Sequence, residues 1–381
     1  MHVETLSWSH REGWRPRNTS QLKPNLVLYF GVRERLADGV RYRELRSMFP
    51  DACLMGCTTG GQIHNDEIVD DEIGAVAMRF DATKLRVACE RVDNADASRR
   101  CGEAIGQKLM ADDLAGVFVL SDGLNVNGSE LVAGINGKVG AKVSITGGLA
   151  GDGSAFRETL VGIDCPPQSH AVAAIGFYGS AVRIGHGSAG GWDVFGPRRR
   201  ITRSKGNVLF ELDGEPALDL YERYLGEDEV KGLPGTALLF PLQIYNPSRP
   251  DHQVVRTVLA VDRSAKSMTF AGDVPEGWVA QLMRGNFDRL AAGAADAAQQ
   301  ARTGLMQEKN GVAILVSCIG RRLLMGQRAM EEVEAAASAL GSQVARLGFY
   351  SYGEISPHAT SGICELHNQT MTVTTITEAA A

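Results

Sequence analysis

The sequence lacks the marks of export and membrane insertion. Its N-terminus is polar and carries no apolar signal core. No apolar run approaches the roughly 18 residues that a spanning helix needs. The longest apolar stretches, around 171–178 and 237–244, have strand length. Seven cysteines, an odd number scattered without Cys-x-x-Cys pairs, fit a reducing cytosol rather than a disulfide framework. Charge of one sign is scarce too. A net charge of −6 argues against a dedicated binder of nucleic acid or anionic membrane. The single basic cluster, Arg198-Arg199-Arg200 with Arg203 and Lys205, reads as a solvated loop.

Several catalytic and phosphate-binding signatures are missing as well. A P-loop needs Gly-x-x-x-x-Gly-Lys followed by Ser or Thr, whereas Gly137-Lys138 is followed by Val139 and lacks the upstream glycine. The glycines at 147, 148 and 151 have the wrong spacing for a dinucleotide fingerprint. Ser351 has one residue too many before it for a nucleophile elbow.

What is present is an ordinary globular composition, 44% apolar and 22% charged, over 381 residues, which implies two or three domains. Three stretches share one design. Leu54–Ile63, Ser144–Asp152 and Leu347–Ile355 each run from an apolar strand into a glycine-rich loop. Each closes a strand, loop, helix, strand unit, over residues 25–63, 116–152 and 311–355. The pattern predicts an α/β, two-domain protein with mixed β-sheets, built from repeated strand-helix-strand units covered by helices. Ligands gather at the carboxyl ends of strands in such sheets, so the three loops are expected to form one site.

Between the second and third units lie a hairpin across Lys205-Gly206-Asn207 and a helix from Ala217 to Leu225. The expected divisions are an arm or edge segment over 1–23, a first domain over 24–215 and a second over 216–375. Gly74–Phe80 and Leu85–Val92 are expected to form a hairpin, and Thr159–Ile163, Ala171–Tyr178 and Val182–His186 a meander. Val254–Asp262 reads as one strand and 286–303 as an Ala-rich helix.

Chemistry is thin. Cys53, Cys57 and His64 share a region, and both a metal site and small core residues fit them. Glu354 follows a strand and a glycine, where a carboxylate could hold a ligand amino group or orient a turn. No nucleophile, base and orienter assemble. Cys57 and Cys318 are the candidates for a rival reading, an enzyme acting on a small metabolite, with Arg321 expected to lower the Cys318 thiol pKa. A ligand-free scaffold is the third reading.

In order along the chain, Gly56-Cys57-Thr58-Thr59-Gly60-Gly61-Gln62-Ile63, Gly147–Asp152, Gly191-Trp192, Thr202–Asn207, Phe240-Pro241-Leu242, Ser317–Arg321, Tyr352–Ile355 and His367–Thr370 resemble the motifs of the FIST family, a two-domain sensory module of signalling proteins. The likeness runs from about residue 24 to 375 and departs at Gly61-Gln62, where an acidic residue is common. It implies a non-enzymatic, cytoplasmic sensor of a small ligand, such as an amino acid. It also implies kinship with members that bind haem b and sense nitric oxide. The partners it implies are a histidine kinase or a cyclic-di-GMP enzyme; a homodimer is a further possibility, and net charge and the lack of long apolar runs argue against nucleic acid and membrane insertion. No kinase, receiver or cyclase segment follows residue 375, so the expectation is a stand-alone partner. The pocket expected on this basis comprises Thr58, Thr59, Gly60, Gly148, Arg321, Tyr352 and Glu354. His367 is the expected axial ligand of any haem, which would be non-covalent because Cys-x-x-Cys-His is absent. His252, after Pro250-Asp251, reads as exposed.

Overall fold

A computed structural model describes residues 1–16, 22–305 and 311–379; residues 17–21 of the expected arm lie outside the described residues. Strands β1 (His2–Ser9) and β2 (Gly13–Arg15) lead into the first unit. That unit runs β3 (Leu26–Gly31), α1 (Arg33–Leu36), α2 (Val40–Met48), β4 (Cys53–Thr58), β5 (Gln62–His64), β6 (Glu67–Val69) and β7 (Ile73–Arg79). After β8 (Lys84–Arg91) and α3 (Ser98–Leu109), the second unit runs β9 (Leu114–Ser121), α4 (Gly128–Val139), β10 (Ser144–Leu149), β11 (Val161–Ile163) and β12 (Ala171–Tyr178).

β13 (Val182–Ala189) then leads to a separate layer. It holds β14 (Trp192–Lys205), β15 (Val208–Leu212), β16 (Glu215–Pro216), α5 (Ala217–Leu225), α6 (Glu227–Lys231), β17 (Leu242–Tyr245), β18 (Gln253–Arg256), β19 (Val258–Asp262), β20 (Ser267–Phe270) and β21 (Val279–Gly285). Helix α7 (Phe287–Ala301) precedes the third unit: β22 (Gly311–Cys318), α8 (Ile319–Met325), α9 (Ala329–Leu340), β23 (Ala345–Ser351), β24 (Gly353–Pro357), β25 (Cys364–His367) and β26 (Met371–Glu378).

Each unit pairs two strands in parallel across its helix: β3 with β4, β9 with β10, β22 with β23. A third strand, β7, β12 or β26, then adds antiparallel to the first. The units also exchange a strand in a ring. β5 leaves the first unit to pair with β23, β24 leaves the third to pair with β10, and β11 leaves the second to pair with β4. Among the described residues, three six-stranded sheets result, beside one eight-stranded sheet.

The first strand of each unit, β3, β9 and β22, is apolar on both faces because it is buried on both. Inward residues of the three sheets share one core, in which the rings of Phe30 and Phe349 sit 4.6 Å apart. Outward residues pack under helices, Val27 and Tyr29 with Leu36 and Leu45, and Val117 and Ile145 with Ile105 and Ile135. Small residues bring α7 against β13: a Cβ on Gly187 would lie 2.0 Å from the Ala297 carbonyl oxygen. The eight-stranded sheet has its own core around Ile201, Leu220, Ile244 and Phe270.

The fold is thus α/β with mixed sheets and two domains, as the repeat implied, and segments on either side of residue 215 share sheets. Three local expectations are corrected. β7 and β8 are no hairpin; they belong to different sheets. The turn between them is held instead by the Glu378 carboxylate, which accepts from the backbone N–H groups of Asp81, Ala82 and Thr83 and from the Thr83 hydroxyl. β11, β12 and β13 are no meander; each joins a different sheet, β11 beside β4, β12 between β9 and β8, and β13 beside β26. Val254–Asp262 is two strands, broken at Thr257 where the chain passes from one edge of the eight-stranded sheet to the other. Among the described residues no helix is long and apolar enough to cross a membrane.

Candidate functional site

The three glycine loops do meet, and they bond to one another. Gly60 N–H donates to the Tyr350 carbonyl (3.1 Å), Gly151 N–H to the Thr58 carbonyl (3.1 Å) and Tyr352 N–H to the Leu149 carbonyl (3.2 Å). The Thr59 hydroxyl donates to the Gly61 carbonyl and accepts from the N–H groups of Gly61 and Tyr350. Thr58 Oγ1 accepts from Leu160 N–H. The Gly60 carbonyl takes the Arg322 guanidinium, which also grips both carboxylate oxygens of Asp70 at 2.7 Å. Gly148 lies inside β10 between two partner strands, and a Cβ there would come 2.7 Å from Val316. Thr58, Thr59, Gly60 and Gly148 therefore come together with their polar groups turned on the protein itself.

The other expected site residues divide among separate networks. The Tyr352 hydroxyl donates to the Asp152 carboxylate and lies 2.9 Å from the Gly153 carbonyl, and its ring stacks on Phe156. Arg321 is wholly buried and pairs with Glu332 at 2.8 Å, which also accepts from Ser317 Oγ and the Tyr350 hydroxyl, both at 2.9 Å. Glu354 accepts from Ser351 Oγ (2.6 Å), Thr370 N–H (3.1 Å) and Thr370 Oγ1 (2.9 Å). Burial pushes its carboxyl up to about 8 against those donors. Burial, and then the Glu354 charge, raise the Cys318 thiol, and burial raises Cys57. Arg321 lowers the Cys318 thiol in the expected direction, but burial and the Glu354 charge outweigh it, and its guanidinium is paired with Glu332.

His367 does not fit the role of a haem ligand. Its ring is buried, its Nε2 is bonded to the Ser356 carbonyl at 2.9 Å, and it lines no cavity described below. Burial pulls its imidazole down to about 4. Among the described residues no group of three or more His, Cys, Asp or Glu could hold a metal ion.

A cleft lies instead where α4 faces the edge strands β18 and β25, with a cavity of about 270 Å³. This is the small end of ligand-pocket size, roughly 300–1,000 Å³. Ser129, Val132, Ala133 and Asn136 line it from one face of α4, at the spacing that puts successive turns in register. The helix is tethered at both ends. Asn127 caps it, accepting from Glu130 N–H, and donates to Asp273 Oδ1 at 2.8 Å; Asn136 Nδ2 donates to the Cys364 carbonyl at 2.8 Å.

The facing wall carries the charge. His252, Val254 and Arg256 line the cleft at the alternate positions of an extended strand. The Arg256 guanidinium is buried. Its Nε donates to the Asp273 carbonyl and its Nη1 to the carbonyls of Val255 and Leu366, while Nη2 makes no hydrogen bond among the described residues. Burial lowers its pKa, against the nearby charges of Asp273 and Glu365. No carboxylate bonds it directly. His252 is only 12% exposed, contrary to the exposed loop expected, and its Nε2 lies 2.8 Å from Glu365 Oε1. Its ring meets His358, which stacks on His367. Trp278 and Pro275 complete the lining. An aromatic wall, a guanidinium with a free donor and a carboxylate at Asp273 suit a small molecule with an anionic end, a cationic group and an apolar arm.

None of these lining residues stood among the expected ones. The available signal was Arg256, a charge inside the apolar run from Val254 to Val261.

The family model described as the FIST N domain matches residues 25–215, and that of the FIST C domain matches residues 217–357. An uncharacterized protein of Methanocaldococcus jannaschii is 28% identical over 188 residues, covering 45% of this chain and 34% of that relative. The chain therefore matches about a third of that curated relative's length. A crystal structure of a cyanuric acid hydrolase from A. caulinodans is similar at 9% identity and a TM-score of 0.38, covering 100% of this chain and 99% of that one.

Proposed function

The chain belongs to the FIST family, whose domains are associated with small-ligand sensing in signal transduction, and on that premise we propose a non-enzymatic sensor that holds a small zwitterion, such as an amino acid, in the cleft under α4. The observation that carries this reading is Arg256. It is a buried guanidinium without a bonded carboxylate, and its Nη2 is unoccupied beside a cavity. A buried cation with no carboxylate bonded to it is costly, and a ligand carboxylate would offset that cost.

The cleft joins α4 of the first matched domain to β18 and the 273–278 loop of the second. A ligand bridging them would change how the two segments sit together, and a cytoplasmic partner, a histidine kinase or a cyclic-di-GMP enzyme, would read that change. Calorimetric titration with a panel of amino acids tests the proposal. At least one is expected to bind saturably, with affinity falling about tenfold or more in Arg256→Met, in line with a charge-assisted bond of roughly 1.5–3 kcal/mol. Absence of binding across the panel, or equal affinity in the variant, would contradict it.

A further inference from the structure

We propose that the free half of β8 is a docking edge for an extended segment of another protein that alternates acidic and apolar residues. β8 ends the sheet that carries β25 at its other edge, and it pairs only with β12 among the described strands. Five consecutive residues, Thr83 to Val87, line an open groove of about 810 Å³. Successive strand residues point to opposite faces, so a groove touching all five runs along the strand's unpaired edge. An unpaired edge offers a row of backbone donors and acceptors to an incoming strand.

The side chains specify what would fit. Lys84 and Arg86 share one face, and neither takes part in an ion pair among the described residues. Arg86 is held over the Tyr178 ring at 4.7 Å. Leu85 and Val87 share the other face, where Leu85 packs on the central core and Val87 is 44% exposed. Across the groove the Asp164 carboxylate is already paired with Arg46, leaving Asp51 as its other acid. A strand laid along this edge would place acidic residues beside Lys84 and Arg86 and apolar ones beside Leu85 and Val87.

A second copy of β8 fits less well. The C-terminal half of the strand is covered by Lys108, whose Nζ donates to the Cys89 carbonyl and pairs with Glu90. Two-fold pairing confined to the open half sets Arg86 against Arg86, or Lys84 against Arg86, and like charges directly opposite are destabilising.

The probe is a fluorescein-labelled peptide of about ten residues alternating Val and Glu, titrated into the full-length protein and followed by anisotropy, with hydrogen exchange read in parallel. Saturable binding is expected, weakening with salt, with new amide protection confined to residues 83–87. Affinity is expected to fall about tenfold in Lys84→Glu, a fully surface change, and further when Arg86→Glu is added; a Val–Lys peptide is expected to bind about tenfold more weakly. No saturable binding, equal binding of the Val–Lys peptide, or an unchanged affinity in Lys84→Glu would overturn the proposal. So would concentration-dependent protection of 83–87 in the protein alone, which would assign the edge to a second copy.

Discussion

Thr59 and Tyr350 stand 291 residues apart in the chain and are joined by a hydrogen bond: Tyr350 N–H donates to Thr59 Oγ1 at 3.0 Å, while the Tyr350 carbonyl accepts from the N–H of Gly60, next to Thr59, at 3.1 Å. This contact locks the first glycine loop to the third. Thr59→Val keeps the shape and removes the hydroxyl, leaving the buried Gly61 N–H without its acceptor. The expected loss is about 2 kcal/mol in urea unfolding, with ligand affinity of the folded protein unchanged. A large affinity loss at unaltered stability would return these loops to the ligand site.

The Arg321–Glu332 pair is buried completely and ties α8 to α9 and, through Tyr350, to β23. Removing one partner strands a charge, so Glu332→Gln is expected to cost about 3–5 kcal/mol. The double variant Arg321→Met with Glu332→Gln is expected to cost less than the sum of the singles, measured by the same unfolding cycle.

Two buried groups titrate in opposition. The His367 pKa falls to about 4 on burial, so the stability it contributes is full above the unfolded value near 6.5 and is lost as pH falls from there toward 4. The Glu354 pKa rises to about 8, so its contribution is full below the unfolded value near 4.5 and is lost as pH rises from there through 8. Glu354→Gln removes only the second. Wild-type stability minus that of Glu354→Gln is therefore expected to decline with rising pH between about 4.5 and 8, by at most about 1.4 kcal/mol per unit. Parallel stability curves for the two proteins would contradict the raised carboxyl.

Asn127 does two jobs at once, capping α4 and holding the Asp273 loop. Asn127→Ala is expected to cost about 1 kcal/mol of stability. It is also expected to weaken cleft binding severalfold, since the helix face and the loop lose their tether. Asn127→Asp restores the cap acceptor but sets a second carboxylate against Asp273, so it is expected to recover stability more than affinity. Thermal unfolding paired with calorimetry separates the two effects.

The sequence carries the repeat and the parallel strand pairs plainly, because doubly apolar strands followed by glycine loops leave a strong local pattern. It does not carry the exchange of β5, β11 and β24 between units. Each of those strands is too short to mark its partner, and the partner lies far along the chain. The glycine loops looked like a ligand cradle for a physical reason: small residues with free N–H groups serve ligand contact and loop-to-loop packing alike. Gly60 N–H ends on the Tyr350 carbonyl, and nothing local to Gly60 announces that. The cleft was hidden for a different reason. Its wall alternates His252, just before β18, with Val254 and Arg256 on that strand, whose ending at Arg256 is set by tertiary pairing, so in sequence the arginine is one polar residue in an apolar run.

Hydrogen exchange measured with and without a bound amino acid tests the central claim most directly. Ligand in the cleft predicts new protection in α4, in β18, in the 273–278 loop and in β25, with residues 58–61 and 147–151 unchanged. Protection confined to residues 58–61, 147–151 and 350–354, with β18 and β25 unaltered, would contradict the cleft and move the ligand to the junction of the three glycine loops.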